Sequence, residues 1–560
     1  MKKFFTLLLY FLFFAVSITY SQKISLQNWY LADAVTDSFA GISLQKAYQF
    51  LKDKKSQKVI VAVLDGGIDT THEDLKNILW KNIKEISNNG IDDDDDGYID
   101  DIYGWNFLGG KDGSILDKTD AEKTRIYHKY KNNFLNTHVD TAQLNKSEKE
   151  IYNIWKQAAV EMNVSTEDYL NIAFLEVAFK AFKRNNQAII DELNKPEYSF
   201  EELEKYIPKT DKGRQAKFGL LNFLKNLDIE SSDKNIDVIQ QIEDYIEGKK
   251  KQFAAKDIPP VNKRKEIIKD DYENFDDRYY GNNDVMASNS SGVSHGTHVS
   301  GTIAAIRNNS SGINGIADNI SIMMVRVIPD GDEYDKDVAL AIRYAVDNGA
   351  QIINMSFGKA FSPEKKWVDD AVIYAQQKNV LLVHAAGNES SDNDTRPKYP
   401  NTHFLNSNIK SESFITVGAS SDYNISGELV GDFSNYGKES VDVFAPGVKI
   451  YSTLPLKNQY GFRNGTSMAA PIVTGIAALI KSYYPKLNAK QIKYIIEQSV
   501  SHIDTTTLIT KPGTKVKVPM TALCKTGGIV NAYYAIILAD EISKEISEPK
   551  LNNSKKSNKN

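Results

Sequence analysis

The chain has 560 residues, 41% of them apolar and 25% charged, with a formal net charge of −5. That length exceeds one ordinary domain, the composition excludes a disordered or collagen-like chain, and the acidic balance offers no basic surface for nucleic acid. The single cysteine, Cys524, excludes an intrachain disulfide and reads as a small buried hydrophobe.

In chain order, residues 1–21 read as an export signal. Lys2 and Lys3 form a basic start, 4–16 are apolar, and Thr19-Tyr20-Ser21 offers small residues before a cleavage point. The apolar run falls short of the about 20 residues that span a bilayer. The expectation is a secreted or periplasmic protein with no stable membrane span after signal removal; an uncleaved anchor is the alternative. Residues 22–58, with Trp29 and the stretch 41–51, read as an N-terminal segment packed on the core.

Residues 59–64 are apolar on both faces, as a strand inside a parallel sheet must be. From 109 to 280 glycine thins out and Lys and Glu rise. Helix-period apolar patterns at 150–162, 166–188, 217–226 and 235–252 make this span a helical insertion. Beyond it, strands are expected at 320–328, 352–355, 380–383 and 414–417, alternating with helices at 337–348 and 367–378. The fold class is therefore α/β, a doubly wound, mainly parallel sheet with a large α-helical insertion. Further helices are expected at 296–306, opened by His295, and at 468–480, with Pro471 in the first turn. Asn488 and Gln491 form a capping box for a helix at 489–500. The tail 546–560 reads as disordered, since 550–560 is rich in Lys, Asn and Ser with no apolar face.

Three distant segments carry chemistry: Val61-Ala62-Val63-Leu64-Asp65-Gly66-Gly67, Ser294-His295-Gly296-Thr297-His298-Val299 and Gly465-Thr466-Ser467-Met468-Ala469. An acid, an imidazole and a hydroxyl arrive in the order Asp65, His295, Ser467. A serine hydroxyl is a weak nucleophile until an imidazole can take its proton, and a carboxylate must hold that imidazole in the right tautomer. Asp65 follows one expected strand and Asn388 another, and sites in such folds gather at strand carboxyl ends. A zinc reading of His295 and His298 lacks the accompanying glutamate. A separate acidic loop runs from Asp92 to Asp100. Asp92, Asp94, Asp96, Gly97 and Asp100 fit positions 1, 3, 5, 6 and 9 of a calcium loop, but position 12 is Tyr103 rather than glutamate. A bound metal and a solvated loop both remain open there.

The three motifs and their order resemble those of the subtilases, the subtilisin-like serine peptidases of the peptidase S8 family. The resemblance covers about 60–107 and 284–539, and makes 59–108 and 281–545 two parts of one catalytic domain. It implies hydrolysis of peptide bonds in proteins or peptides, with Ser467 as nucleophile, His295 rather than His298 as base, and Asp65 orienting it. Within Ala385-Ala386-Gly387-Asn388-Glu389 it places Asn388 as the oxyanion donor. It puts Ser356, Phe357 and Gly358, and Ala385, Ala386 and Gly387, on the walls of the primary specificity pocket. It implies a structural Ca²⁺ held by Asp74 and by Asn309 in the loop Arg307-Asn308-Asn309-Ser310-Ser311-Gly312-Ile313. An exopeptidase, and an inactive fold used for binding, are the rival readings. The 230 residues between Asp65 and His295 depart from the several tens usual in the family.

Overall fold

The computed structural model describes residues 25–547 except 136, 138, 226–233, 287–290 and 457. The export-signal reading at 1–21 and the expected tail from 548 on lie outside the described residues; Ile546 and Ser547, expected in that tail, instead end the helix Ala532–Ser547. The chain divides into two compact units, Asp120–Val261 and the remainder.

In the larger unit the strands are β1 (Val59–Asp65), β2 (Gly104–Asn106), β3 (Ile320–Arg326), β4 (Ile352–Met355), β5 (Leu381–Ala385), β6 (Phe414–Ser420), β7 (Val443–Pro446), β8 (Ile450–Leu454), β9 (Gln459–Arg463), β10 (Ser501–His502), β11 (Leu508–Thr510), β12 (Lys517–Pro519) and β13 (Gly528–Ile529). Nine of the described strands form one sheet in the order β10-β13-β7-β6-β5-β4-β1-β3-β2. All its pairs are parallel except β10 with β13. β8–β9 and β11–β12 are separate antiparallel hairpins. The doubly wound parallel sheet expected from the sequence is present.

Both faces of β1 are covered, which explains its unbroken apolar text. Val59, Val61 and Val63 pack with the helices Ser291–Ala304 and Thr466–Tyr483, while Ala62 and Leu64 pack with Asp335–Asp347 and Lys365–Gln377. Trp29 is fully buried and its indole N–H donates to Lys449 O at 3.1 Å, so the N-terminal segment packs on this core. From β1 the chain passes to β2 and β3 on one side and then crosses to β4 on the other. That reversal opens a crevice at the carboxyl ends of β1 and β4, where open α/β sheets place their ligands.

Downstream of residue 261, Arg264 is buried and binds both oxygens of Asp337 at 2.7 and 2.8 Å and both of Asp270 at 2.8 Å. A buried guanidinium needs such paired carboxylates to offset its desolvation. No helix among the described residues is long and apolar enough to cross a membrane.

Among the described residues the unit Asp120–Val261 is built from the helices Glu122–Phe134, Lys146–Glu161, Thr166–Leu193, Phe200–Lys205, Asp211–Leu224 and Asn235–Ala254. Capping boxes at Asn145/Glu148, Ser165/Asp168 and Ser199/Glu202 start three of them. Its core gathers Phe179, Phe182, Ile189, Leu203, Leu220 and Val238. This unit lies inside the 109–280 span read from composition. The flanking stretches pack in the larger unit: Leu116 and Tyr280 belong to its second apolar cluster.

Candidate active site

Asp65 ends β1 and is 2% exposed, so its carboxylate is fixed and dry. Its Oδ1 accepts the Gly66 N–H at 2.7 Å, and His295 Nδ1 lies 2.9 Å from both Oδ1 and Oδ2. Two ionised acceptors at Nδ1 place the ring proton there and leave Nε2 free to accept another. The helix Ser291–Ala304 begins earlier than expected, so His295 lies in its second turn and does not open it. Gly296 allows the close approach: a Cβ on it would stand 2.1 Å from Gly67 O and 3.2 Å from Asp65 Cγ.

Ser467 is the second residue of the helix Thr466–Tyr483. Its Oγ donates to Ser356 O at 2.9 Å, and Ser356 Oγ donates to Ser467 O at 2.9 Å. Pro471 explains the second bond. It is the sixth helical residue, beyond the first turn where the sequence reading put it. Its missing N–H frees the carbonyl four residues back, that of Ser467, and Ser356 takes it. Among the described residues no hydrogen bond joins Ser467 Oγ to His295. Such bonds tighten only in the substrate complex in many enzymes.

Asn388 follows β5, and its Oδ1 accepts from Thr466 N at 2.8 Å and Thr466 Oγ1 at 3.0 Å. With its oxygen so engaged, the amide Nδ2 is the end left to donate. A Cβ built on Gly465, whose φ is +147°, would lie 3.6 Å from both Asn388 Nδ2 and the Ser467 backbone N. Two donors therefore converge at the start of this helix, whose first-turn amides have no intrahelical acceptor.

Of the six expected wall residues, Ser356, Ala385 and Ala386 are buried. Ala386 N donates to Val417 O at 2.9 Å, and Ala386 O accepts from Asn393 and Asn435. The resemblance puts all six on the walls of the specificity pocket. The surface they offer is narrower, with Phe357 and Gly387 half-buried and Gly358 exposed. Sheet pairing on both sides of β5 consumes the rest.

A model of the subtilase family matches residues 56–523. The chain belongs to the subtilase family. It is similar to a thermophilic serine proteinase from Bacillus sp. (strain AK1), 40% identical over 213 residues, which are 38% of this chain and 48% of that one. Subtilisin DY of Bacillus licheniformis is 37% identical over 217 residues, 38% of this chain and 73% of its own. Thermitase of Thermoactinomyces vulgaris is 40% identical over 225 residues, 40% and 72% of the two chains. The matched stretch thus spans about half the length of the first relative and nearly three quarters of the other two.

In this subtilase the second histidine of the motif, His298, is fully buried. Its Nε2 donates to Ile450 O at 3.0 Å and Gly461 O at 3.2 Å, bridging the β8–β9 hairpin. Burial, and the nearby positive charge of Arg463, hold its pKa far below the ordinary histidine range. Arg463 is a residue the sequence reading missed. It ends β9, donates to Ser294 Oγ at 2.6 Å, and has a buried Nε with no hydrogen-bond partner. Burial lowers its pKa against the opposing pull of Asp65. No local pattern marks it, because only the hairpin register brings it beside the His295 helix.

Asp74 is fully buried. Its Oδ1 accepts the Asn309 amide at 2.6 Å, and its Oδ2 accepts Tyr460 Oη at 2.9 Å and Ile313 N at 3.3 Å. Gly312, at φ +55°, leaves a cradle that a Cβ would fill, 2.2 Å from Asp74 Oδ2. Calcium takes hard oxygen ligands, which the buried Asp74 carboxylate supplies. Asn309 here turns its Nδ2 to Asp74 while its Oδ1 accepts the Ser311 N–H at 3.1 Å, so the amide must turn over to offer its oxygen to an ion.

The acidic loop divides. One oxygen each of Glu85, Asp92 and Asp94 lie within 4.8 Å of one another. Asp96 turns instead to Asn348 at 3.2 Å and to the Tyr98 N–H at 3.0 Å, and burial with the like charges of Asp94 and Asp92 raises its pKa to about 6. Asp100 accepts the Asn89 and Gly90 N–H groups at 3.1 and 2.9 Å.

Proposed function

We propose that this subtilase is an exported serine endopeptidase that hydrolyses peptide bonds in proteins and peptides. The contact of both Asp65 oxygens with His295 Nδ1 carries the proposal, because it leaves Nε2 as a base for Ser467 in the first turn of the helix Thr466–Tyr483. Ser467 Oγ turns from Ser356 O toward His295 Nε2, gives up its proton and attacks the scissile carbonyl. The oxyanion that forms is held by Asn388 Nδ2 and the Ser467 N–H. His295 then protonates the leaving amine. Water, activated by the same imidazole, releases the acyl group and restores the serine. Phe357, Gly358 and Gly387 offer the backbone along which an extended peptide is held.

A calcium ion held by Asp74 and Asn309 would supply rigidity rather than chemistry. Export rests on the basic and apolar pattern of residues 1–21. Cleavage of peptides blocked at both ends, compared with free-ended ones, tests the proposal. Internal cleavage that disappears in Ser467→Ala is expected. Turnover of free-ended peptides alone, or activity surviving in Ser467→Ala, would contradict it.

A further inference from the structure

The acidic loop carries a ligand that its own spacing does not supply. A calcium loop of this type ends in a bidentate glutamate at its twelfth position. Here that position is Tyr103, whose half-buried ring packs against the core. Glu85, seven residues before the loop begins, brings its carboxylate to Asp92 and Asp94 instead, with one oxygen of each within 4.8 Å of the others. That spacing lets three oxygens share one ion at the ~2.3–2.6 Å distances calcium adopts.

The second observation concerns Asp94. Its side chain is only 3% exposed, yet Oδ1 is buried with no hydrogen-bond partner. Oδ2 is met by Asn82 and by Lys84, each at 3.3 Å, and Lys84 is 70% exposed. An exposed lysine at that distance does little for a buried anion, and a bare carboxylate oxygen away from water is costly. The other two groups keep acceptor capacity. Asp92 holds the Asp96 and Gly97 N–H groups, and Glu85 holds those of Asp93 and Asp100, one on each oxygen.

We propose that Glu85, Asp92 and Asp94 form a calcium site separate from the one at Asp74, with Asp94 Oδ1 as a direct ligand and Glu85 in place of the absent twelfth-position glutamate. The ion would fix the loop to the sheet edge. Tyr98 stacks edge-on against Trp105 of β2 and Tyr344 at 5.1 and 4.9 Å, and Asn283 donates to Asp100 O at 3.0 Å.

The test is calcium titration of the chelator-stripped full chain carrying Ser467→Ala, which removes self-cleavage without touching either site. Asp94→Asn and Glu85→Gln should each lose one equivalent of bound calcium and keep the equivalent that Asp74→Asn removes. Terbium emission excited through tyrosine, measured in an Asp74→Asn background to remove the ion beside Tyr460, should fall about tenfold or more when Asp94→Asn or Glu85→Gln is added. Where Asp94→Asn does not fold, Glu85→Gln carries the test. Unchanged calcium stoichiometry and terbium emission in the folded variants would overturn the assignment, whatever the peptidase assays show.

Discussion

His298→Ala is expected to cost about 3–5 kcal/mol of stability while leaving the chemistry in place. The His298 ring is fully buried, and its Nε2 is shared between Ile450 O and Gly461 O. Alanine leaves two carbonyls without that donor, about 1–3 kcal/mol by the usual cost of an unmade buried bond. It also opens a ring-sized cavity, worth roughly a further 2 kcal/mol. The hairpin does not detach, because Ser452 Oγ and Thr453 Oγ1 still hold the helix backbone at 2.8 and 2.7 Å.

The pH dependence follows from the same burial. The native ring resists protonation, so the unfolded chain binds the extra proton below its ordinary value of about 6.5. The stabilisation is complete above that pH and is lost as pH falls toward the depressed native value. The variant should therefore lose up to about 1.4 kcal/mol per pH unit of acid sensitivity. Equilibrium urea unfolding in the Ser467→Ala background, from pH 7.5 to 5, measures both effects. A loss under about 1 kcal/mol would refute the structural role, and a stable but inert variant in the otherwise native sequence would show that the wrong histidine was taken as base.

Four further outcomes are expected. Asp65→Asn should fold normally yet lose roughly ten-thousandfold in kcat through the wrong His295 tautomer; near-normal turnover at neutral pH would count against it. Asn388→Ala should lower kcat about 10²–10³-fold with little change in KM, and a change in KM alone would point to substrate binding instead. Excess chelator should lower the unfolding temperature, since calcium at a hundredfold excess over Kd adds about 2.7 kcal/mol; Asp74→Ala should shrink that response, and identical melts with and without calcium would dismiss the ion. His384 is fully buried, and burial pushes its pKa down to about 4. Its stabilisation is present above pH 6.5 and lost as pH falls to 4, a span worth about 3 kcal/mol, and His384→Gln should flatten that limb of the unfolding profile.

The parts of the fold set by local text were legible. A strand buried on both faces, such as β1 or β4, has no polar alternation to confuse it, and β4 was read to the residue. The capping box at Asn488 and Gln491 was equally plain, with its two bonds at 2.9 and 2.8 Å. The start of the His295 helix was not legible, because Gly292 and Ser294 are poor helix formers whose places are set by tertiary contact, Gly292 against Gly66 and Ser294 with Arg463. The β8–β9 hairpin was missed for a related reason. β9 is polar and only partly buried, with its place set by His298 and the Tyr460–Asp74 bond.

The chemistry divides in the same way. The motifs around Asp65, His295 and Ser467 are each local, so their residues could be named before any fold was known. Pro471 could not be interpreted until the helix start was fixed, since one turn decides whether it breaks a hydrogen bond. Glu85 and Arg463 carry no motif at all. They reach their partners through loop closure and strand register, which a single sequence does not expose.

The assignment of Ser467 as nucleophile is tested most directly by an active-site-directed fluorophosphonate on the purified chain. Covalent labelling at Ser467, read by peptide mass and absent in Ser467→Ala, is the expected result. An unlabelled native chain that is folded and calcium-replete, or equal labelling of Ser467→Ala, would contradict it.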